Sequence, residues 1–286
     1  MKLIDAVERA AARLDAAGVG FGHGTTNAFD EAAWLLLWRL GLPLDALDDE
    51  AGRELGDAEQ AAVDDLVTQR IATRRPAAYL TGEAWLQGLP FHVDERVIVP
   101  RSLIAEVLAD GSAEPWLAEE PRRILDLCTG NGSLAVLAAL AWPAAQVDAT
   151  DLSADALAVA QRNVERHGVA DRVRLRQGDG LAASQGRYDL VLCNPPYVNR
   201  ASMQALPAEF RAEPALALDG GADGMDFIRP LLRDLPARLS PGGVLLLEVG
   251  HERGHFEAAF AHLQPVWLST SAGDDAVLLL TRENLA

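Results

Sequence analysis

Cysteine is scarce in this sequence, where only Cys128 and Cys193 occur among 286 residues. Two cysteines are too few for a disulfide scaffold, and no Cys-x-x-Cys pair or Cys/His cluster predicts a zinc site. Of the six histidines, only His251 and His255 stand four residues apart, the spacing of two ligands on one helix. We expect surface or capping roles for both, and no bound metal.

Long hydrophobic runs are absent as well. The apolar stretches are too short and too often interrupted to span a bilayer, and the charged N-terminus "MKLIDAVERAAARLDAAG" lacks a signal-peptide core. The expectation is therefore a cytoplasmic protein without a membrane partner. Aromatic residues make up only 6% of the chain, but hydrophobic residues reach 49%, which is enough for one or two folded domains.

Basic residues are few compared with acidic ones. The chain has 25 Lys and Arg against 42 Asp and Glu, a formal net charge of −17 at pH 7, and residues 1–60 alone hold 12 acids and 5 bases. An acidic surface repels nucleic-acid phosphates and attracts basic partners. We therefore expect no direct contact with DNA and favour a basic protein as partner. Solubility alone is the alternative explanation of this charge.

The first part of the chain predicts a helical module over residues 1–78, because apolar residues recur at helical spacing. It holds no catalytic constellation, so we interpret it as a substrate-recognition domain, with a packing extension as the alternative. Residues 79–100 break this pattern, and "GLP" at residues 88–90 predicts the turn of a β-hairpin linker. The predicted helices are 3–14, 30–42 and 57–74.

Residues 101–286 alternate between strand and helix patterns. Seven strand-like segments, the last two forming a hairpin, predict an α/β domain with a mostly parallel sheet covered on both faces. Ligands of such sheets bind at the carboxyl ends of the strands. The chemistry of this domain should therefore be found where its strands end.

The stretch "ILDLCTGNGSLAV" predicts a strand, a glycine turn and the start of a helix. Gly130 and Gly132 permit a tight turn and a close approach of a ligand to the backbone. Asp126 lies near the end of this strand, and Asp151 ends the next strand, where a carboxylate suits ribose hydroxyls. Nicotinamide enzymes use the same geometry, but the third glycine of their fingerprint is replaced here by Ala135.

Two acids near the turn favour a cationic ligand over a pyrophosphate, so S-adenosylmethionine is preferred to a dinucleotide; a purely structural turn is the third possibility. Asp179, in "RQGDG" after the third strand, is placed to accept a hydrogen bond from an adenine amino group. An ordinary loop acid is the alternative for Asp179.

The stretch "DLVLCNPPYVN", residues 189–199, ends the fourth strand in a rigid corner. The Asn194 side-chain oxygen and the Pro195 carbonyl can each accept one N–H bond of a planar amino group, which orients that nitrogen for methylation and stabilises its developing positive charge. Pro196 stiffens the turn, and Tyr197 offers a flat face for stacking. If the first and fourth strands are neighbours, this corner adjoins the glycine turn. A rigid turn without chemistry is the alternative.

The pair "DLCTGNG" and "NPPY" resembles the class I, S-adenosylmethionine-dependent amino methyltransferases. The wider pattern resembles the protein N(5)-glutamine methyltransferases over nearly the whole chain, through "AYLTGEAWLQGLPFHVDERVIVPRS", "EPALALDGGADGMDF", "GGVLLLEVG" and "GDDAVLLLTRENL". This resemblance implies a Rossmann-like methyltransferase domain behind a small helical domain, and a glutamine amide held by Asn194, Pro195, Pro196 and Tyr197. The implied cofactor contacts are Asp126, Cys128, Thr129, Gly130, Asn131, Gly132, Asp151, Leu152, Asp179, Gly180 and Asn194.

Two branches of this family differ in substrate: peptide-chain release factors, or the third protein of the large ribosomal subunit. Cys128 in place of a first glycine, and "PRSLIAE" without Pro-Asp-Thr, resemble the ribosomal branch. Gly180 stands where the release-factor branch often has an aromatic that packs on adenine, so that contact is not expected here. The release-factor reaction stays open as an alternative. No expectation follows for the oligomeric state.

Two alternatives lie outside this family's reaction. A nucleic-acid adenine methyltransferase would use the same Asn-Pro-Pro-Tyr corner, but such an enzyme requires a basic region to bind nucleic acid. The net charge of −17 argues against such a region. A non-enzymatic ribosome assembly factor is opposed by the intact glycine turn, Asp151 and corner.

Overall fold

The computed structural model describes residues 1–285, which form two compact units. Unit 1 comprises Met1–Ala84 together with Leu206–Ala212, and unit 2 comprises Trp85–Ala205 and the chain from Glu213 onward. Within the described range, no helix combines the length and the apolar character that crossing a membrane demands. The chain thus leaves unit 2 for seven residues after the predicted catalytic corner and then returns to it.

Unit 1 is helical, and its three predicted helices are present. The Asn27 side chain accepts a hydrogen bond from the Asp30 amide at the start of the second helix, and Gly41, with φ +67°, ends it in the left-handed region. The amphipathic faces of these helices bury one apolar core, which includes Leu3, Leu35 and Val67. The helices are α1 Leu3–Ala16, α2 Ala28–Leu40, α3 Leu47–Glu50, α4 Asp57–Thr73 and α5 Ala77–Thr81.

A buried cation holds the segment Leu206–Ala212 in unit 1. The fully buried guanidinium of Arg70 donates to Glu31 at 2.8 Å, to the Gly20 carbonyl at 3.0 Å and to Glu209 at 3.4 Å. The centroid of the Phe210 ring lies 4.2 Å from the centroid of the His23 ring. Because a buried charge needs its partners, these contacts make the segment an integral part of unit 1.

A two-stranded hairpin, β1 Glu83–Leu86 with β2 Leu89–His92, lies at the chain boundary between the units. Its turn falls at Gln87 and Gly88, both with positive φ, one residue earlier than the predicted "GLP" turn. A two-residue turn of this kind needs positive φ at both positions, which proline cannot adopt. The hairpin itself was predicted correctly.

Unit 2 contains the predicted seven-stranded sheet, in the order β5-β4-β3-β6-β7-β9-β8. Strands β3 to β7 run parallel, and β9 is antiparallel to both β7 and β8. The strands are β3 Arg123–Leu127, β4 Gln146–Asp151, β5 Val173–Gln177, β6 Tyr188–Cys193, β7 Leu239–Glu248, β8 Val266–Thr270 and β9 Gly273–Thr281. The helices are α6 Ile104–Asp110, α7 Ser133–Ala141, α8 Ala154–Arg166, α9 Arg200–Ala205, α10 Ile228–Asp234 and α11 Arg253–Ala259.

The strand order reverses at β3, which pairs with β4 on one side and with β6 on the other. The predicted neighbourhood of the first and fourth strands of the sheet is therefore confirmed. Residues alternate between two cores, so that Ile124 packs on one face of the sheet and Leu125 on the other. Such a reversal opens a crevice at the carboxyl ends of β3 and β6, where ligands of α/β sheets bind.

Candidate active site

The glycine turn follows β3 and leads into α7. Cys128, Gly130 and Gly132 all have positive φ, between +55° and +81°. A Cβ at Gly132 would lie only 3.1 Å from the Cβ of Ala160, so glycine here lets α7 and α8 pack closely. The Asn131 side chain accepts a hydrogen bond from the Ser133 amide at 3.2 Å and so caps the new helix.

Asp151 is fixed at the end of β4 by two backbone amides. Its carboxylate accepts hydrogen bonds from the Gly130 amide and from the Ser153 amide, each at 2.9 Å. Burial raises the pKa of Asp151, although these amide bonds act against that rise. Each carboxylate oxygen keeps a further acceptor site. The result is a preset acceptor beside the glycine turn.

Asp126 lies beneath the turn and is fully buried. One carboxyl oxygen accepts the Thr129 hydroxyl at 2.5 Å. The other makes no hydrogen bond of good geometry within residues 1–285, although the Ala135 amide lies near enough to favour the charged form. Burial raises the pKa of Asp126 to about 7. Asp126 thus supports the turn from the core side.

One cavity lies at the carboxyl ends of these strands and encloses about 820 Å³ of empty space, part of it open to solvent. The glycine turn, the ends of β4 and β5 and the corner after β6 all contribute to its wall. Its lining residues are Arg96, Val97, Ile98, Cys128, Gly130, Thr150, Asp151, Leu152, Ser153, Ala156, Gly178, Asp179, Gly180, Asn194, Pro196, Pro214, Leu216, Ala217 and Phe227.

The corner after β6 presents an amide to this cavity. Asn194 is half-buried and lines the cavity, and no group in the described part of the chain hydrogen-bonds to its side chain. The Pro195 carbonyl likewise makes no hydrogen bond within residues 1–285. Pro196 also lines the cavity. The cavity wall therefore includes the unpaired Asn194 side chain, and the unpaired Pro195 carbonyl belongs to the same corner.

Tyr197 is anchored through its hydroxyl, which donates to Glu248 at 3.2 Å at the end of β7. Glu248 also accepts the Ser102 hydroxyl at 2.6 Å and the Leu103 amide at 2.9 Å. Burial, then the Glu248 charge, raises the pKa of Tyr197. A Cβ at Gly250 would lie 2.6 Å from the Tyr197 ring. Tyr197 is therefore locked in place as a neutral phenol.

The glycine-rich stretch 219–227 packs against the backbone of the corner. A Cβ at Gly220 would lie 2.8 Å from the Pro196 carbonyl oxygen, and a Cβ at Gly224 would lie 2.2 Å from the Tyr197 carbonyl oxygen. The amide of Gly220 also donates to the Val198 carbonyl at 2.9 Å. Only glycine fits at either position, because a side chain would displace the corner's own backbone.

Comparisons with known proteins agree with this geometry. Residues 5–82 match the PrmC N-terminal domain, and residues 112–223 match the methyltransferase small domain. A ribosomal protein uL3 glutamine methyltransferase from Bordetella pertussis is 57% identical, with 99% of this chain and 96% of the relative covered. One from Burkholderia pseudomallei is 50% identical, with 98% and 94% covered.

The chain belongs to the family of ribosomal protein uL3 glutamine methyltransferases. The family and branch predicted from "CTGNG", "NPPY" and "PRSLIAE" are confirmed, and so is the methyltransferase class of the enzyme. The crystal structure of a methyltransferase from Pyrococcus furiosus, 18% identical, matches with a TM-score of 0.50 over 69% of this chain and 90% of that chain. That likeness concerns the fold.

The residues predicted for the site of this glutamine methyltransferase divide into two sets. Those that line the cavity are Cys128, Gly130, Asp151, Leu152, Asp179, Gly180, Asn194 and Pro196. Those that lie outside its lining are Asp126, Thr129, Asn131, Gly132, Pro195 and Tyr197. Residues of the second set belong to or support the glycine turn and the corner without lining the cavity, as the hydrogen bonds of Asp126, Asn131 and Tyr197 illustrate.

Several lining residues of this glutamine methyltransferase were not predicted. Arg96 and its neighbours follow the hairpin, Pro214 and Leu216 follow the corner, and Phe227 precedes α10. The local signal was that these residues lie in "AYLTGEAWLQGLPFHVDERVIVPRS" and "EPALALDGGADGMDF", which are part of the family resemblance. Glu248 was also missed, although an acid that ends the apolar run "VLLLE" is itself a signal of a buried polar role.

The other candidate residues take structural positions. Cys193 is fully buried; burial raises its pKa, and the nearby Cys128 thiol adds to the rise. His251 and His255 contact opposite oxygens of Glu252, at 3.1 and 2.5 Å. No group of three or more His, Cys, Asp or Glu in residues 1–285 could hold a metal ion.

Arg101, which follows the hairpin, forms an ion pair with the buried Glu213 through both terminal nitrogens of its guanidinium, at 2.7 and 2.8 Å.

Proposed function

We propose that this chain transfers a methyl group from S-adenosylmethionine to the side-chain amide nitrogen of a glutamine in ribosomal protein uL3. The observation that carries the proposal is Asn194, which lines the cavity and whose side-chain amide has no hydrogen bond to any group in residues 1–285. The family name of the relatives supports the substrate. A ribosomal-protein substrate would place the reaction in the cytoplasm.

The cavity suits a cofactor with a ribose, an amino base and positive charge. Asp151 is a preset acceptor for hydroxyls, and the exposed Asp179 carboxylate makes no hydrogen bond within the described chain. A Cβ at Gly130 would meet nothing within 4 Å, so the turn leaves open space for a ligand. Arg96 is the only base among the described lining residues, and its guanidinium is paired with Asp94 at 2.6 Å. Two carboxylates and no unpaired base disfavour a pyrophosphate.

When bound, S-adenosylmethionine supplies an electrophilic methyl group. A glutamine amide is a poor nucleophile because its nitrogen lone pair is delocalised into the carbonyl. In our proposal the Asn194 oxygen and the Pro195 carbonyl each accept one N–H bond of that amide. These two acceptors orient the nitrogen towards the cavity and stabilise the positive charge that develops on it. The surplus proton leaves the nitrogen afterwards, so no strong base is required.

Pro196 and Tyr197 keep this arrangement rigid. Pro196 lacks an N–H that would compete for the acceptors. Because the Tyr197 hydroxyl is already bound to Glu248, only the Tyr197 ring is available to the substrate, as a flat surface for the amide. Preset acceptors cost no reorganisation during the reaction, which is where their catalytic benefit arises.

We further propose that residues 1–78 recognise the substrate, that residues 79–100 serve as the linker, and that residues 101–286 carry the methyltransferase chemistry. The acidic excess in residues 1–60, 12 acids against 5 bases, favours a basic ribosomal protein.

The test is a methyl-transfer assay with labelled S-adenosylmethionine and, separately, purified uL3, a release factor and duplex DNA. Label on a uL3 glutamine, located by mass spectrometry, is the expected result. Asn194→Ala should lower kcat by about 100-fold or more, the usual cost of removing one such polar group. Asn284→Ala, an exposed asparagine remote in sequence, is the matched control.

Cofactor binding separates the possible failures. Asn194→Ala should still bind S-adenosylhomocysteine in calorimetry, because Asp151 and the glycine turn are intact. Label on the release factor alone would assign the chain to the other branch, and label on DNA would contradict the charge argument. Wild-type activity retained in Asn194→Ala would refute the proposed role of the corner.

A further inference from the structure

Phe227 is the one aromatic residue among the described residues that line the cofactor cavity. It is half-buried and directly precedes α10. Phe227 also lines a second, neighbouring cavity together with Gly180 and Leu231. Its ring is therefore part of the wall between the two spaces, with access from the cofactor side.

Gly180 provides the place in which this ring lies. A Cβ at Gly180 would lie at ordinary van der Waals distance, 3.7 Å, from both Cε2 and Cζ of Phe227, so the ring lies directly beside this glycine. The aromatic surface beside Asp179 thus comes from Phe227, which follows the corner in the chain, and not from position 180, which directly follows Asp179.

The surrounding structure holds Phe227 in position. Its sequence neighbours Met225 and Ile228 are fully buried, and the Asp226 amide donates to the Gly220 carbonyl at 3.1 Å. The Phe227 carbonyl accepts the Leu231 amide at 3.3 Å in the first turn of α10. The ring is therefore preset, so its binding surface needs no closing motion.

The groups near this ring match a purine with an exocyclic amine. Asp179 offers a carboxylate without a hydrogen bond in the described chain, and Leu152 lines the same cavity with half of its surface exposed. Aromatic faces stack on bases of any sequence, and apolar side chains cover the opposite surface. We propose that Phe227 is the residue on which the adenine ring of the cofactor stacks, in place of an aromatic at position 180. This inference rests on the proposed use of S-adenosylmethionine.

Calorimetry with S-adenosylhomocysteine and the purified full chain tests this role. Phe227→Ala should weaken binding by about 5- to 150-fold, since base–aromatic stacking contributes about 1–3 kcal/mol and 1.4 kcal/mol is tenfold. Phe227→Tyr should bind as the wild type does, and Phe227→Leu should fall between the two. Phe29→Ala, which removes a surface phenylalanine that is 40% exposed in unit 1, is the control and should change nothing.

A second measurement distinguishes stacking from a structural effect of the ring. The adenine H2 and H8 resonances of bound S-adenosylhomocysteine should be shifted upfield by the Phe227 ring current in the wild type, and this shift should be lost in Phe227→Leu. Identical shifts in the two proteins, or unchanged affinity in Phe227→Ala, would overturn the assignment while leaving the proposed function intact. Failure of the wild type to bind S-adenosylhomocysteine would contradict the proposed function itself.

Discussion

Asp126 shows how burial can dominate the ionisation of a residue, because its effect outweighs the hydrogen bonds that favour the charged form. Its carboxyl group lies in the core beneath the glycine turn, and burial raises its pKa from 3.8 to about 7. Between these two values the folded protein keeps a proton that the unfolded chain has already released. The free energy of unfolding therefore falls as the pH rises from about 4 to about 7, and this contribution is level outside that window.

Replacement of Asp126 by Asn should remove this dependence. We expect the stability of Asp126→Asn relative to the wild type to increase between pH 5 and pH 8, since only the wild type must ionise a buried carboxyl group. Urea unfolding of both proteins at pH 5, 6.5 and 8 measures the difference. Parallel pH profiles for the two proteins would show that Asp126 does not titrate in this range.

At the scale of elements, the glycine-rich stretch 219–227 and the corner form one rigid assembly. The stretch contacts the carbonyl groups of the corner, and its last residue is Phe227. After this stretch, α10 begins at Ile228 and ends at Asp234, because Pro236 in the next turn cannot continue it. This part of the chain therefore joins the corner to the part of the cavity wall beside Gly180.

Gly220→Ala should disturb the corner, because its Cβ would lie 2.8 Å from the Pro196 carbonyl oxygen and from the Tyr197 carbonyl carbon. We expect kcat for methyl transfer to fall by about tenfold or more, since small misplacements of reacting groups are costly. Steady-state kinetics with uL3 gives the result, with S-adenosylhomocysteine affinity measured beside it.

Gly254→Ala is the matched control for Gly220→Ala. It lies in α11, and a Cβ there would meet nothing within 4 Å. Alanine is favoured over glycine in a helix by about 1 kcal/mol, so this variant should be as active and at least as stable as the wild type. Equal kcat values in the two variants would mean that the stretch 219–227 does not position the corner.

Much of the sheet and of the cavity edge could be predicted because strand ends are visible in the sequence. Asp151, Asp179 and Asn194 each stand at or shortly after the end of a predicted strand, and parallel strands bring such ends together. Alternation places Asp126 on the face of its strand opposite to Leu125 and Leu127, and its burial follows because the predicted sheet is covered on both faces. Phe227 could not be predicted, since only the tertiary packing of α10 brings it to Gly180.

At the scale of the whole molecule, the charge of −17 predicts how substrate capture responds to salt. Raising NaCl from 50 to 300 mM should lower kcat/KM for basic uL3 several-fold, because salt screens attraction between exposed charges. Methyl-transfer kinetics across this range, with S-adenosylhomocysteine affinity as a salt-insensitive reference, measures the effect. An unchanged kcat/KM would show that attraction between charges does not contribute to substrate recognition.

Neutralising a pair of exposed acids in one unit at a time tests which unit attracts the basic substrate. Asp48→Asn with Asp49→Asn neutralises two exposed acids in unit 1, and Glu119→Gln with Glu120→Gln neutralises two exposed acids in unit 2. The unit 1 pair should reduce the salt dependence more than the unit 2 pair does. Equal effects would indicate attraction by overall charge, without a role for unit 1.

The seven residues that unit 1 takes from the second half of the chain impose an order on its synthesis. Arg70 is made early, but one of its two carboxylate partners, Glu209, is made only after β3 to β6 of unit 2. Domains usually fold as units while the ribosome releases the chain, the N-terminal one first. Here the N-terminal unit cannot be completed first, because its buried cation lacks one of its two carboxylate partners until Glu209 has emerged. A methyltransferase of ribosomal protein would thus finish its own first unit late in translation.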